Sequence, residues 1–384
     1  MKIIYLVPRF YPSVGGGETY VYEIASRMVK KGHDVTVYTT NITNSSALTD
    51  VKEHNGIKIK RFSVLGPKNF YHFCPDMEKE LNMEKGDIMH GMGFTFFGND
   101  LAARICKKNK MPFVHNPFYH PISTSQGKRK IFRIFYDYFF GRKKLKQASK
   151  IVAVTNQEIN YLSKYTKRRK FKKIVLGIDF KNLESKEYLK EFKKKYGIKN
   201  IDTILLSLGR IKKNKGNQFI IKALKEIKKK EKHIKLLIIG PDDGYLDELK
   251  KLSNAYSLNE NIIFTGKIQY KFLAAAYNSA DIFVFPSEYE SFGIVAAEAL
   301  SCAVPVVGTD IGGTREIVIN KKYGLLSKYG DVKSMTKNLL RLIRDKKLRK
   351  KMGTEGKKYV YKIFNWDNIT NQLEGLYKDI TKRK

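Results

Sequence analysis

Four charged residues stand where they could act on a phosphorylated substrate. Arg210 and Lys215 follow an apolar run in SLGRIKKNKG, and Glu290 and Glu298 lie eight positions apart in PSEYESFGIVAAEAL. Arginine offers a planar fork of donors and lysine a compact charge, so the two suit a diphosphate. In a lysine-rich chain, two solvated cations remain an alternative interpretation of this pair. Glu298 lies in the apolar stretch VAAEAL, where a buried carboxylate needs a partner, and this favours a binding role.

Backbone amides could add to these contacts at two places. The glycines at 15–17 follow the first apolar run and precede a helical pattern, where a loop can approach an anion closely. This glycine run matches neither a dinucleotide fingerprint nor a Walker loop, so a plain turn remains an alternative. After Glu290, we expect Ser291 to cap a helix whose first turn, residues 292–294, offers amides to a phosphate. On such a helix, Glu298 would fall on nearly the same side as Glu290.

The elements that must position these residues alternate between apolar runs and helical patterns. Predicted strands cover residues 2–7, 34–40, 57–62, 87–90, 111–115 and 150–154, and then 203–209, 234–240, 261–266, 281–286 and 304–309. Strands separated by helices indicate parallel sheets with crossover connections. The fold class is therefore α/β, with two doubly wound domains and a cleft between them. Ligands of doubly wound folds bind outside the carboxyl ends of the strands.

Composition narrows the classes of protein that remain. The chain has 384 residues, of which 42% are hydrophobic and 29% charged, which fits two globular domains. No apolar run approaches a membrane span, and the N-terminal residues do not have the pattern of a secretory signal. Three cysteines without CxxC spacing indicate a reducing compartment and no cysteine-based metal site. We therefore expect a cytoplasmic protein.

The formal net charge of +37 has two interpretations. It can reflect lysines that coat solvated helix faces, or it can indicate an anionic partner such as a nucleic acid, a phosphorylated substrate or a membrane surface. Residues 127–147 favour the membrane. There, Lys128, Arg129, Lys130, Arg133, Arg142, Lys143 and Lys144 surround Ile131, Phe132, Ile134, Phe135, Tyr136, Tyr138, Phe139 and Phe140. As a helix, this segment carries a wide apolar stripe with cations at its ends, although it could also pack on the sheet as an ordinary crossover helix.

These motifs, taken in order, resemble the retaining nucleotide-sugar glycosyltransferases of the GT-B fold, specifically glycosyltransferase family 4. The resemblance covers nearly the whole chain. It is carried by the early GGGE loop, LGIDF at the domain link, GRIKKNKG, the Glu-x7-Glu element with its flanks, and the GG-x-x-E of Gly312, Gly313 and Glu316. Of these, the Glu-x7-Glu element is the most specific. The resemblance implies two Rossmann-like domains that face a central cleft.

The family's pattern also implies how the chain divides and what each motif does. Residues 1–178 would form the acceptor-binding domain and residues 179–363 the nucleotide-sugar-binding domain, with a C-terminal helix at 364–380 that could pack back on the first. The implied donor-binding residues are Gly16, Gly17, Arg210, Lys215, Glu290, Phe292, Gly293, Ile294 and Glu298. Within this set, Arg210 and Lys215 would neutralise the diphosphate. Glu290 would hold the sugar and Glu298 the ribose.

One departure concerns the histidine that the family commonly carries after a strand of the first domain. The segment reads MPFVHNPFYHP, which puts Phe118 at that position and His120 two residues later. His120 resembles the second histidine of a His-Tyr-His-Pro variant and is the candidate catalytic histidine, with a structural role as the alternative. His115 is expected inside the strand, and His90 is a weaker candidate for lining the cleft.

The resulting prediction is an enzyme, a retaining and metal-independent hexosyltransferase. It would move a sugar from a nucleoside diphosphate sugar, UDP- or GDP-linked, to a hydroxyl of a lipid-linked or glycan acceptor. His120, Glu290, Arg210 and Lys215 are the candidate catalytic residues, and no cofactor is expected. No metal is expected either, because Asp242 and Asp243 are adjacent and lack the spacer of a D-x-D motif. A sugar-nucleotide epimerase, a phosphorylase and a basic nucleic-acid-binding protein remain alternatives. No specific nucleic acid is expected as a partner, and a peripheral position on the inner face of the cell membrane is left open.

Overall fold

A computed structural model describes residues 1–13, 15–42, 51–66, 71–121 and 127–382, with side chains for all of these except residues 127–129 and 320. The chain divides into two compact units. The first consists of Met1–Gly177 together with Trp366–Lys384, and the second of Ile178–Asn365.

The first unit is built on one sheet of eight strands among the described residues. These strands are β1 (Lys2–Leu6), β2 (Asp34–Thr40), β3 (Glu53–His54), β4 (Ile57–Phe62), β5 (Ile88–Met92), β6 (Phe113–Asn116), β7 (Lys150–Ala153) and β8 (Phe171–Lys173). Their order is β3-β4-β2-β1-β5-β6-β7-β8, and all neighbours are parallel except β3 and β4. Along the chain, strands are added first on one side of β1 and then, from β5 onward, on its other side. Ligands of doubly wound sheets bind at such a reversal point, here between β1 and β5.

Helices cover both faces of this sheet because successive strand residues point to opposite sides. Ile4 and Leu6 of β1 enter one apolar layer, whereas Ile3 and Tyr5 enter the other. The helices are α1 (Gly16–Lys30), α2 (Pro75–Met83), α3 (Phe97–Lys108), α4 (Gly127–Tyr136), α5 (Arg142–Gln147) and α6 (Asn156–Leu162). A π-helical turn, Asp137–Gly141, joins α4 to α5.

The second unit is a six-stranded parallel sheet with the order β11-β10-β9-β12-β13-β14. Its strands are β9 (Thr203–Leu208), β10 (Ile234–Ile239), β11 (Ile262–Gly266), β12 (Ile282–Phe285), β13 (Val306–Thr309) and β14 (Gly324–Ser327). Its helices are α7 (Phe180–Leu183), α8 (Leu189–Lys195), α9 (Asn217–Lys228), α10 (Leu246–Ala255), α11 (Leu273–Ser279), α12 (Ile294–Ser301), α13 (Gly312–Ile317), α14 (Val332–Arg344) and α15 (Lys346–Ile363). Here the order reverses between β9 and β12.

The last helix, α16 (Trp366–Thr381), belongs to the first unit although it follows the second in sequence. Its apolar residues, among them Trp366 and Leu373, enter the same layer as α1. A Cβ placed on Gly177 would lie 2.1 Å from Cδ2 of Trp366, so only glycine fits beneath the indole. At the far end of the contact, Glu374 pairs with Lys31 at 2.9 Å.

The parallel sheets predicted from the sequence are confirmed, but several elements differ. The short strands β3, β8 and β14 were not expected, because two to four residues give little alternation to detect. Helix α1 begins at Gly16, five residues before the apolar pattern starts, since the glycines themselves form its first turn.

Candidate active site

Three loops at the carboxyl ends of neighbouring strands carry the charged residues of the second unit. The loop after β9 holds Arg210 and Lys215, the loop after β10 holds Asp243, and the loop after β12 holds Glu290. Because β10, β9 and β12 are adjacent and parallel, their carboxyl ends meet at one edge of the sheet. The backbone N–H of Glu288 donates to the carbonyl of Asn214 at 2.9 Å, which ties two of these loops together. The charged cluster therefore lies at the reversal point of the strand order.

The Nζ of Lys215 contacts the Oε1 of Glu290 directly in an ion pair. Their side chains are 26% and 15% exposed, so the pair is partly shielded from water. Gly216 follows with a φ of 76°, and a Cβ there would lie 2.1 Å from the carbonyl oxygen of Pro286. This close approach of backbone to backbone is what brings the loop of Lys215 against the loop of Glu290.

Arg210 is held by an acid on the neighbouring loop. Its Nη1 lies 3.0 Å from Oδ2 of Asp243, and Lys212 approaches the same oxygen at 3.5 Å. The Arg210 side chain is 66% exposed, so this pair is weak and easily rearranged. The adjacent Asp242 has another task, because its Oδ1 accepts the backbone N–H groups of residues 244–246 at the start of α10. Because Asp242 and Asp243 are adjacent in sequence, they do not form a D-x-D motif.

Glu298 lies on α12 and is bonded to a tyrosine of the preceding helix. The hydroxyl of Tyr277 donates to Oε2 of Glu298 at 2.7 Å. Burial raises the pKa of Glu298, and the hydrogen bond from Tyr277 opposes that rise. Glu298 is half-buried, and its carboxylate has the hydrogen-bonding partner that the sequence led us to expect. Glu298 does not share a helix with Glu290, however, because α12 begins only at Ile294.

The expectation that Ser291 caps this helix is wrong. Gly293 occupies the N-cap with a left-handed φ of 87°, and no side chain caps the helix. Phe292 therefore precedes the helix and is buried. A Cβ on Gly313 would lie 2.3 Å from the carbonyl oxygen of Phe292, so the second glycine of the GG-x-x-E motif lets α13 support this loop. Ile294 alone of residues 292–294 lies within the first helical turn.

In the first unit, the glycine loop lies at the carboxyl end of β1. A Cβ placed on Gly16 or Gly17 meets no described atom within 4 Å, so these residues border open space. Arg9 Nε lies 2.9 Å from Oε1 of Glu18, and that carboxylate folds back against Gly15. The loop thus presents two unobstructed backbone positions at the N-terminus of the fifteen-residue helix α1.

His120 lies in the loop that follows β6, and its side chain is exposed. Arg133 fixes this loop: its Nη2 donates to the carbonyl of His120 at 3.0 Å, and its Nε lies 3.2 Å from Asp137. Phe118, at the position of the usual histidine, has a left-handed φ of 46° and packs edge-on against Tyr20. The loop is therefore sharply bent.

The two other histidines of this region belong to the core. His115 lies inside β6 and is buried, as expected, with its Nδ1 3.1 Å from the carbonyl oxygen of Gly91. His90 is buried within β5, and its Nδ1 lies 2.5 Å from the hydroxyl of Tyr377. Burial lowers the pKa of His90 to about 3. The prediction that His90 lines the ligand cleft is therefore wrong, because its ring is enclosed between the sheet and α16.

Residues 130–147 divide between a buried and an exposed side. Tyr136 is buried and Phe132 partly so, which gives this segment the core contact of a crossover helix. The other large apolar residues, which we call the exposed apolar face, are 47% to 72% exposed and comprise Ile131, Ile134, Phe135, Tyr138, Phe139 and Phe140. The apolar stripe is thus wide enough to pack against the core and still leave large apolar side chains exposed to solvent.

The cations around this face are fewer than the sequence predicted. Lys144 is buried and pairs with Asp100 at 2.8 Å, and Arg133 points inward to Asp137. Both cations are thus already paired with carboxylates of the protein. Lys130 and Lys143 are exposed. Lys128 and Arg129 lie outside the described side chains.

The described residues contain neither a cluster that could bind a metal ion nor a helix that could span a membrane. Within the ranges given above, no cluster of three or more His, Cys, Asp or Glu side chains could hold a metal ion. None of the helices placed there is long and apolar enough to cross a bilayer.

Sequence reasoning missed two partners of the site. Asp243 is one of them, and its signal is an acid that follows a predicted strand, where it can serve as the counter-ion of the predicted cation Arg210. Tyr277 follows an alanine run and gives no signal of its own, since its contact with Glu298 depends on how α11 and α12 pack.

Comparisons with known proteins cover both units. A family model described as Glycosyltransferase Family 4 matches residues 14–182, and one described as Glycosyl transferases group 1 matches residues 188–359. N-acetyl-alpha-D-glucosaminyl L-malate synthase of Bacillus anthracis is 24% identical over 381 residues, which is 97% of this chain and 96% of that protein. Alpha-monoglucosyldiacylglycerol synthase of Streptococcus pneumoniae is 26% identical, over 86% of this chain and 76% of its own.

Solved structures show the same fold along the chain. Sucrose-phosphate synthase from Thermosynechococcus elongatus matches with a TM-score of 0.80 and 21% identity, covering 100% of both chains. Anabaena Alr3699/HepE, in complex with UDP and glucose, matches with a TM-score of 0.77 and 18% identity over 99% of this chain and 100% of its own. The expected GT-B fold of two Rossmann-like domains is thereby confirmed. With one family model on each unit, the chain belongs to the glycosyltransferases of family 4.

Proposed function

We propose that this glycosyltransferase takes its sugar from a nucleoside diphosphate sugar, with UDP or GDP as the nucleotide, and transfers it with retention of anomeric configuration. The observation that carries the proposal is the cluster of Lys215, Glu290, Arg210 and Asp243 at the reversal point of the second sheet. Two cations, each held by an acid on an adjacent loop, make a site that a diphosphate can enter by exchanging with those acids. The UDP complex of the structurally similar Alr3699/HepE supports this donor class.

Each residue has a role that follows from its contacts. Lys215 and Arg210 would neutralise the charge that develops on the departing diphosphate, which is the main catalytic task. Glu290, released from Lys215, would accept hydrogen bonds from hydroxyls of the sugar. Glu298, fixed by Tyr277, would accept them from the ribose, and the start of α12 at Ile294 would add backbone donors.

In the proposed reaction, the bond between the anomeric carbon and the diphosphate oxygen breaks while the acceptor oxygen attacks from the same face. The acceptor's hydroxyl proton passes to the departing phosphate oxygen, so no protein nucleophile is needed. Gly16 and Gly17, with open space above them, would offer amides to the phosphates, and His120 would border the reacting sugar. The acceptor would be lipid-linked or a glycan.

The exposed apolar face supports action at the surface of a membrane. Six large exposed apolar side chains within one helical segment exceed what scattered surface residues explain. Aromatic rings of this kind lie well at the headgroup level of a bilayer, and Lys130 and Lys143 would face anionic lipid. Alpha-monoglucosyldiacylglycerol synthase, a relative whose name specifies a lipid, agrees with such a location.

Titration calorimetry with UDP, GDP, ADP and their sugars tests the donor site. We expect one nucleotide to bind, its affinity to fall in Lys215→Gln, and a Lys250→Gln control on the exposed side of α10 to bind normally. If no nucleoside diphosphate binds, or if Lys215→Gln binds as well as the wild type, the proposal is wrong.

Vesicle co-sedimentation tests the membrane location. Binding should require anionic lipid, weaken with salt, and fall in Phe135→Ser/Phe139→Ser and in Lys130→Gln/Lys143→Gln. Lys107→Gln/Lys108→Gln on α3 is the matched charge control. Equal recovery on neutral and anionic vesicles, or no effect of the first two pairs, would leave a soluble glycan as the acceptor.

A further inference from the structure

A cavity of about 160 Å³ lies between α3 and α5, beside the exposed apolar face. Phe97 and Leu101 of α3 line one wall, and Phe140 lines the other. Phe140 is exposed, stacks on Tyr136 and follows Phe139 in the chain, so the cavity lies next to the exposed apolar face. The volume equals about five water molecules and is well below the ~300–1,000 Å³ of sites that hold a nucleotide or a drug-sized ligand. Only a small headgroup or a short stretch of chain fits.

The floor of the cavity is polar but electrically neutral. Asp100 pairs with Lys144 at 2.8 Å and also accepts the hydroxyl of Tyr71 at 2.8 Å. The ammonium group of Lys144 also donates hydrogen bonds to the carbonyl of Phe94 and to the hydroxyl of Tyr136. The floor therefore neither attracts nor repels a charged ligand strongly.

The mouth of the cavity is positive. Arg104 and Lys143 stand on its two sides. Arg104 is paired with Glu78 at 2.7 Å, whereas Lys143 makes no ion pair within the described part of the chain. Among the described residues, Lys143 thus has no counter-ion, and it stands beside an apolar wall. This combination suits a ligand that joins an anionic group to an apolar chain.

We propose that this cavity binds one anionic lipid, with its phosphate between Lys143 and Arg104 and the adjoining part of its chain against Phe97, Leu101 and Phe140. This inference rests on the proposed membrane location and extends it, because a bound lipid fixes how the exposed apolar face sits on the bilayer. Charge complementarity at the mouth and the position of the cavity next to the exposed apolar face identify the occupant as a membrane lipid.

The test uses hexyl phosphate, a soluble probe that joins a phosphate to a short chain, with inorganic phosphate and hexanol as its separate halves. Calorimetry on the full chain should show one hexyl phosphate per protein and much weaker binding of either half. Lys143→Gln should weaken hexyl phosphate about tenfold, as expected for a hydrogen bond to a charged group. Lys146→Gln, an exposed neighbour on α5 that does not line the cavity, is the control and should bind normally.

Several results would overturn the assignment. Inorganic phosphate binding as tightly as hexyl phosphate would make this an anion site, and equal binding of hexanol would make it an apolar void. An equal loss in Lys146→Gln and Lys143→Gln would indicate diffuse surface charge.

Vesicles of phosphatidylcholine with phosphatidylglycerol separate the two sources of the phosphate. Lys143→Gln should bind them less than Lys146→Gln does. Binding of hexyl phosphate without any vesicle binding would assign the cavity to a soluble ligand and overturn the lipid. Nucleotide titrations of the same samples report on the donor site in the other unit, so failure here and failure of the proposed transfer are distinguishable.

Discussion

Replacing Glu290 by glutamine should change nucleotide binding and sugar transfer in opposite directions. In the structure, Glu290 forms an ion pair with Lys215, so a diphosphate must compete with this carboxylate for the same ammonium group. The side chains of the pair are 26% and 15% exposed, so its strength should reach the upper end of the range for exposed ion pairs, about 1 kcal/mol. Removing the competing charge should therefore tighten binding of the free nucleoside diphosphate by about 1 kcal/mol, or roughly fivefold.

The same substitution should lower the rate of transfer, because the amide cannot replace the carboxylate that would hold the sugar. Calorimetry measures the affinity for the nucleoside diphosphate, and a radiolabelled-donor assay measures transfer. Glu288→Gln is the control, since Glu288 lies exposed on the same loop and its backbone N–H, which the substitution keeps, donates to Asn214. If Glu290→Gln weakens nucleotide binding in parallel with Lys215→Gln, the competition inferred from the ion pair is wrong.

Three further variants test other parts of the account. Burial raises the pKa of Glu298, so the native state holds that proton more tightly than the unfolded chain, and stability is lost as pH rises through the raised pKa. Glu298→Gln should reduce this loss in melting curves recorded across that range, and it should weaken nucleotide binding in calorimetry. His120→Ala should lower kcat/KM at least tenfold, about 1.4 kcal/mol, in steady-state assays while leaving nucleotide affinity unchanged. Gly177→Ala should force a methyl group against Trp366 and cost about 1–3 kcal/mol, visible as a lower Tm, whereas Gly375→Ala, in open space on α16, should not.

Local sequence was enough to predict the sheets and most of their strands. Buried parallel strands read as short β-branched runs, and the helices between them imply crossovers. The same logic located Arg210, Lys215 and Glu290 at strand ends. It could not show that Lys215 and Glu290 touch, because that contact depends on β9 pairing with β12 across about eighty residues of chain.

Predictions failed where tertiary packing decides between equivalent local patterns. A serine before an apolar run suits a helix cap, but Gly293 adopts the left-handed conformation and takes the cap position from Ser291. Lys144 resembles its neighbours on α5, yet its partner Asp100 is 44 positions away, so sequence gave no sign of its burial. The helical periodicity of residues 127–147 predicts a wide apolar stripe, but it does not show which of the apolar side chains face outward.

The anomeric configuration of the product tests the central claim most directly. The wild-type chain should be incubated with the nucleoside diphosphate sugar that binds best and with anionic vesicles carrying a lipid extract, and the product examined by NMR. We predict that the transferred sugar keeps the anomeric configuration it had in the donor, and that the product is missing when Lys215→Gln replaces the wild type. Transfer with inverted configuration, or transfer at the wild-type rate by Lys215→Gln, would contradict the account.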